Sequence, residues 1–121
     1  MEKKENVKTL NSITADYHLS AVPKFNHLCM LLEHVVKITK HTIKDKATKV
    51  EADTESCVWL FGGSGHLVVH YMPKKKLFVL DILTDCTKET MAKAFIHLTK
   101  HLKIKNFEIG ARENRGVIKK K

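Results

Sequence analysis

The stretch His66–Thr84, HLVVHYMPKKKLFVLDILT, decides the fold. Two runs rich in Val, Leu, Ile and aromatics, residues 66–72 and 77–84, flank Pro73-Lys74-Lys75-Lys76. Apolar β-formers on both sides of a short polar connection containing proline predict a hairpin. On a strand, residues four apart share a face. His66 and His70 therefore project together with Val68, away from Leu67, Val69 and Tyr71. Asp81 is expected opposite them on the partner strand, with Asp85 following on the same face if that strand continues.

Outward from the hairpin the pattern alternates between the two periods. Residues 56–61 (SCVWLF) and 47–52 (ATKVEA) read as two further strands around a turn at Asp53-Thr54-Glu55. Upstream, Leu28, Leu31, Leu32, Val35 and Ile38 recur at helical spacing from Pro23 to about Lys40, and residues 12–19 (SITADYHL) alternate as a half-buried strand. Downstream, Thr87 is placed to cap a helix carrying Met91, Ala94, Phe95, Leu98 and Leu102, and residues 105–110 (KNFEIG) form a last short strand before a basic tail. Strand, helix, several strands, helix, strand predicts an α+β two-layer sandwich, with two helices on one face of a largely antiparallel sheet.

With 121 residues and no composition break, the chain reads as a single domain, 1–121. No apolar run reaches the ~18 residues of a membrane span, and MEKKENVK lacks the apolar core of a signal peptide, so the expected location is cytoplasmic. Cys29, Cys57 and Cys86 show no metal-type pair spacing, which argues for reduced thiols and against a zinc knuckle. The formal charge of +9 permits nucleic acid as a partner. Its spread along the chain, without interleaved aromatics, argues instead for a solvated basic surface. His27, His34 and His41, seven residues apart, read as one solvated helix flank. His97 and His101, one turn apart without an intervening glutamate, read as surface histidines.

Gly62-Gly63-Ser64-Gly65 sits immediately before the hairpin and uses three of the five glycines. Such a stretch is either a glycine-rich turn or a setting in which the Ser64 hydroxyl attacks the preceding carbonyl. The second course gives an ester, and elimination then leaves a pyruvoyl group at a new N-terminus. That ketone serves decarboxylation as an electron sink.

Gly65-His66-Leu67-Val68-Val69-His70, then Pro73, then Asp81-Ile82-Leu83-Thr84 and Cys86, resembles the small bacterial and archaeal S-adenosylmethionine decarboxylases. Their hallmark is E-S-H-[LI]-[ST]-[IV]-H with a nearby P-E and D-[IV]-[FY]-T-C-G. Glu113, Arg115 and Gly116 are similar to an E-R-G near the family's C-terminus. The likeness is sharp between about Val58 and Cys86 and weak over the first 45 residues. It implies the same two-layer fold, S-adenosylmethionine as substrate, a role in spermidine synthesis, a homo-oligomer and a self-derived pyruvoyl cofactor, with no metal. In that family the serine becomes the pyruvoyl group, the second histidine assists cleavage and the cysteine is the catalytic acid. His70 matches the histidine. Without gaps, Gly65 takes the serine position, Ser64 the preceding glutamate, Asp85 the cysteine and Cys86 the following glycine, and Lys74 replaces the glutamate after proline.

Two readings stay open on these departures. In the first, cleavage occurs at Gly63-Ser64, with His70 assisting and Cys86 as acid. Gly65 with Asp85 and Ser64 with Cys86 give the same sum, 150, so Ser64 and Cys86 are expected to face each other across the hairpin, bulges around Gly65 and Asp85 restoring their aim. In the second, the chain is a non-cleaving homologue that binds S-adenosylmethionine, uses Asp85 and His70 in another reaction, or regulates a partner. A basic nucleic-acid-binding module is the alternative of another class.

Overall fold

The computed structural model describes residues 6–63 and 65–120, so Ser64 lies outside the described residues. The elements run β1 (Asn6–Leu19), α1 (Phe25–Ile38), β2 (Ile43–Glu51), β3 (Thr54–Phe61), β4 (His66–Met72), β5 (Leu77–Thr84), α2 (Lys88–His101) and β6 (Ile104–Lys120). The six strands form one sheet in the order β2-β3-β4-β5-β1-β6, and each pair is antiparallel. Both helices pack on one face, giving the α+β two-layer architecture. No described helix is long and apolar enough to cross a membrane.

Alternation assigns the faces. Leu67, Val69 and Tyr71 on β4, and Phe78, Leu80, Ile82 and Thr84 on β5, are buried, while their odd-numbered or even-numbered neighbours are half-buried or exposed. The buried set meets Leu28, Leu32, Val35 and Val36 of α1 and Met91, Ala94 and Leu98 of α2 in one core. Trp59, Tyr17, Tyr71 and Phe78 are its largest fully enclosed side chains. Each such burial contributes about 1.5–3 kcal/mol before entropy is counted. Tyr71 reconciles its hydroxyl with this setting by donating to the Pro23 carbonyl at 2.7 Å. The opposite face of the sheet carries Thr14, Asp16, His66, Val68, His70 and Asp81, and no element among the described residues packs over it.

Several boundaries differ from the sequence reading. β1 starts at Asn6 and β6 extends to Lys120, so the basic tail is strand rather than an appendage; the two pair along almost their full length. β2 is an edge strand whose residues are all exposed, and Lys44, Lys46 and Lys49 on it guard the edge against pairing with another chain. The β2-β3 turn falls on Ala52 and Asp53, not on residues 53–55, with Ala52 at φ 51°. Thr87 caps α2 as expected, its hydroxyl accepting from the Thr90 N–H at 3.3 Å.

The hairpin register also differs. Pro73–Lys75 form a short 3-10 turn closed by Lys76 at φ 52°, which sets Met72 opposite Leu77. His66 therefore pairs with Leu83, giving a constant sum of 149 rather than 150. The expected opposition of Gly65 to Asp85 and of Ser64 to Cys86 does not follow from this ladder. The strand ends at Thr84, so Asp85 does not continue the Asp81 face either.

Candidate active site

The C-terminus of α1 builds the best-formed polar cluster among the described residues. The Lys40 N–H bonds the Lys37 carbonyl at 3.0 Å and the His41 N–H bonds the Val36 carbonyl at 3.2 Å, with Lys40 left-handed at φ 59°. This is a Schellman closure, with lysine where glycine is usual. It reverses the chain and throws His41 off the helix onto the end of the sheet. There the imidazole stacks on Phe61, centroids 4.1 Å apart and planes 8° apart. The reading of His41 as part of a solvated flank is thus corrected. His27 and His34 remain exposed, but the helix stops before His41.

His41 meets the end of β5. Its Nε2 lies 2.6 Å from Thr84 Oγ1 and 3.5 Å from Cys86 Sγ. Thr84 is fully buried, and its hydroxyl accepts from the Cys86 N–H at 3.1 Å. One proton and one lone pair remain on that hydroxyl, so it can serve His41 Nε2 in either tautomer. The Cys86 thiol donates to the Thr39 carbonyl at 3.2 Å, and Asn11 Nδ2 donates to the Cys86 carbonyl at 3.0 Å. Burial pushes the Cys86 thiol above its ordinary value and neighbouring Asp85 adds to that, while the Thr84 contact pulls the other way. A thiol so placed keeps its proton at neutral pH and is suited to donate it. Asp85 is exposed, and its carboxylate, Cys86 Sγ and a ring nitrogen of His41 lie within 4.8 Å of one another.

His70 belongs to a different place. It is exposed on the face away from the helices, with Nδ1 2.8 Å from Ser56 Oγ. It borders a surface cavity of about 600 Å³ that also involves Lys49, Glu51, Thr54 and Val58. Beside it on this face, one carboxylate oxygen of Asp81 is buried without a hydrogen-bond partner. The structure thus gathers Asp85 and Cys86 with His41 and Thr84, and sets His70 with Ser56. Sequence reasoning missed His41. The expected helix end near Lys40 frees the next residue from the helical flank but gives no sign of where its side chain goes.

The glycine loop is stitched to the same region. Gly62 N–H donates to the Thr42 carbonyl at 2.8 Å, and Phe61 N–H to the Gly65 carbonyl at 3.2 Å. Gly63 and Gly65 have φ of 92° and 110°. A Cβ added at Gly65 would lie 2.3 Å from the Leu83 carbonyl oxygen and 3.2 Å from the Phe61 ring. A serine side chain does not fit at 65 on this backbone without a shift of the Leu83 main chain.

No protein-family model matches the chain, and no curated protein matches it. Among solved structures it is similar to the adenosylmethionine decarboxylase from Aquifex aeolicus VF5, with a TM-score of 0.74 at 20% identity, covering 94% of this chain and 96% of that one. At that identity the likeness is one of fold, and it spans nearly the whole of both molecules.

Proposed function

We propose that this chain is a non-cleaving protein of the adenosylmethionine decarboxylase fold that binds S-adenosylmethionine or its decarboxylated relative in polyamine biosynthesis. The observation that carries the reading is Gly65: it stands at the family's serine position with φ 110°, and a Cβ there would meet the Leu83 carbonyl oxygen at 2.3 Å. The fold likeness to an adenosylmethionine decarboxylase supports the adenosyl ligand. A cytoplasmic homo-oligomer is part of the proposal. The sheet face without helices offers Val58, Leu60, Val68, Val79 and Leu83, half-buried or exposed, to a second copy.

Intact-mass spectrometry and thermal denaturation test this together. The expected result is one species near 13.8 kDa whose Tm rises with millimolar S-adenosylmethionine, since binding to the native state stabilises by about 2.7 kcal/mol at a hundredfold excess over Kd. An uncleaved protein with no shift would remove the ligand assignment.

One observation favours a second reading, cleavage at Gly63-Ser64. Gly63 and Gly65 both hold positive φ on either side of Ser64, a local backbone freedom that suits attack of a hydroxyl on its preceding carbonyl. His70 as assistant and Cys86 as acid belong to that reading. Two fragments, with the C-terminal one, which begins at position 64, trapped by hydrazine, would establish it and overturn the first.

A further inference from the structure

We propose that His41, Asp85 and Cys86 form a binding site for a zinc-type divalent cation, with the fourth position open to water. The proposal shares Cys86 and Asp85 with the readings above but stands on their geometry with His41, and its readouts, metal spectra and alkylation, are decided by neither cleavage nor adenosyl binding.

The ligand set comes first. A thiol, an imidazole and a carboxylate whose donor atoms all fall within 4.8 Å are a complete three-residue complement for such an ion. Distance is more specific. Bonds of about 2.3 Å to sulfur and about 2.0–2.1 Å to nitrogen, at the tetrahedral angle, put the two donor atoms about 3.6 Å apart. Cys86 Sγ and His41 Nε2 are 3.5 Å apart. The pair already stands at the spacing an ion would impose, and only the exposed Asp85 side chain must swing inward.

The two half-buried partners, His41 and Cys86, are also held in place. The Phe61 stack and the Schellman turn fix the His41 ring, and the bonds from Asn11 and to Thr84 fix the Cys86 backbone. Binding replaces the S–H bond of Cys86 by a bond from sulfur to the ion and releases one proton to solvent. His41 Nε2 exchanges its Thr84 contact for the metal, leaving the Thr84 hydroxyl beside the open position, where it can hold the bound water. The cysteine spacings in the sequence argued against a zinc site because the ligands come from chain segments over forty residues apart, joined only by the fold.

Protein stripped with chelator and titrated with Co2+ provides the test. One equivalent should bind, with visible ligand-field bands of tetrahedral intensity and a thiolate-to-metal charge-transfer band in the near ultraviolet. Cys86→Ser should abolish the charge-transfer band, and His41→Gln and Asp85→Asn should each weaken binding at least tenfold. In the unsubstituted protein, one equivalent of Zn2+ should slow alkylation of Cys86 at least tenfold, a readout that does not depend on any variant folding. Unchanged alkylation, or no binding of either ion, overturns the proposal. So does a cobalt spectrum without the thiolate band that disappears in His97→Gln, which would place the ion instead on His34, His97 and His101, whose rings lie 6.2 and 4.5 Å apart in succession on the helix surface.

Discussion

Gly65 and Leu83 are in backbone contact so close that a Cβ on the first would sit 2.3 Å from the carbonyl oxygen of the second. The position also has φ 110°, where side chains carry an intrinsic cost. Gly65→Ala and Gly65→Ser are therefore expected to destabilise the protein by about 2–4 kcal/mol, the strain of the dihedral together with overpacking. Urea unfolding checks this. Gly65→Ser should also stay uncleaved by intact mass, since a hydroxyl forced in here displaces the strand it would need. Native-like stability in both variants would show that the loop yields easily.

Glu33 is the polar tie between α1 and the sheet. Its Oε2 accepts from Lys46 Nζ at 2.6 Å and from the indole N–H of Trp59 at 3.1 Å, and Trp59 is fully buried. Glu33→Gln keeps an acceptor for the indole and should cost little. Glu33→Leu leaves that N–H unpaired and is expected to cost about 1–3 kcal/mol more. The Lys46 contact, helped by the Trp59 bond and opposed by burial, holds the Glu33 carboxyl below its ordinary value. A carboxyl lowered by folding stabilises above its unfolded value and loses that contribution as pH falls through the folded one. Lys46, raised chiefly by Glu33, behaves in the mirror sense at alkaline pH. Both groups are partly exposed, so the effect should be small and weakened by salt. Fluorescence of Trp59, the single tryptophan, should change below about pH 4.5 in the parent and not in Glu33→Gln.

The central hairpin was legible because Leu67, Val69, Tyr71, Phe78, Leu80 and Ile82 alternate without interruption, and period-2 patterning is what a sheet covered on one face requires. β2 and the outer parts of β1 and β6 were cut short because lysine-rich strands at or near a sheet edge carry no such alternation. The register slipped by one because it was taken from motif positions, whereas the ladder is set by the turn at Pro73–Lys76, whose length and left-handed Lys76 place Met72 against Leu77. Asp85 and Cys86 could be singled out from the motif. His41 could not, because its position follows from a helix terminator made by lysine, a residue that carries no glycine-like signal. His70 was legible as a face-mate of Asp81, but its partner Ser56 on β3 depends on a pairing the sequence does not encode locally.

The three cysteines should differ sharply towards alkylating reagents. Burial, reinforced by neighbouring Cys57, pushes the Cys29 thiol up to about 12, and burial also raises Cys57. Cys29 is 7% exposed and Cys57 not at all, whereas Cys86 is half-buried at the sheet end. Iodoacetamide at pH 8 is expected to add one label to the native protein, at Cys86, and three in denaturant. Peptide mapping identifies the site. Labelling of Cys29 or Cys57 at a comparable rate would mean that the helix layer opens far more readily than its packing implies.

Lys40 offers the complementary test, because its side chain is exposed while its backbone aims His41. At φ 59° a non-glycine residue costs on the order of 1–2 kcal/mol, part of which glycine would give back as extra freedom in the unfolded chain. Lys40→Gly is therefore expected to raise stability by up to about 1 kcal/mol while keeping the His41 N–H bond to Val36. Lys40→Val, β-branched in the same dihedral, should lower stability by at least as much and release the His41 ring from Phe61. Equilibrium unfolding gives the first quantity, and ring-current shifts of the His41 protons in NMR give the second. If glycine proves neutral and valine leaves the His41 resonances in place, the Schellman turn is not what orients the imidazole, and the stack on Phe61 must hold it alone.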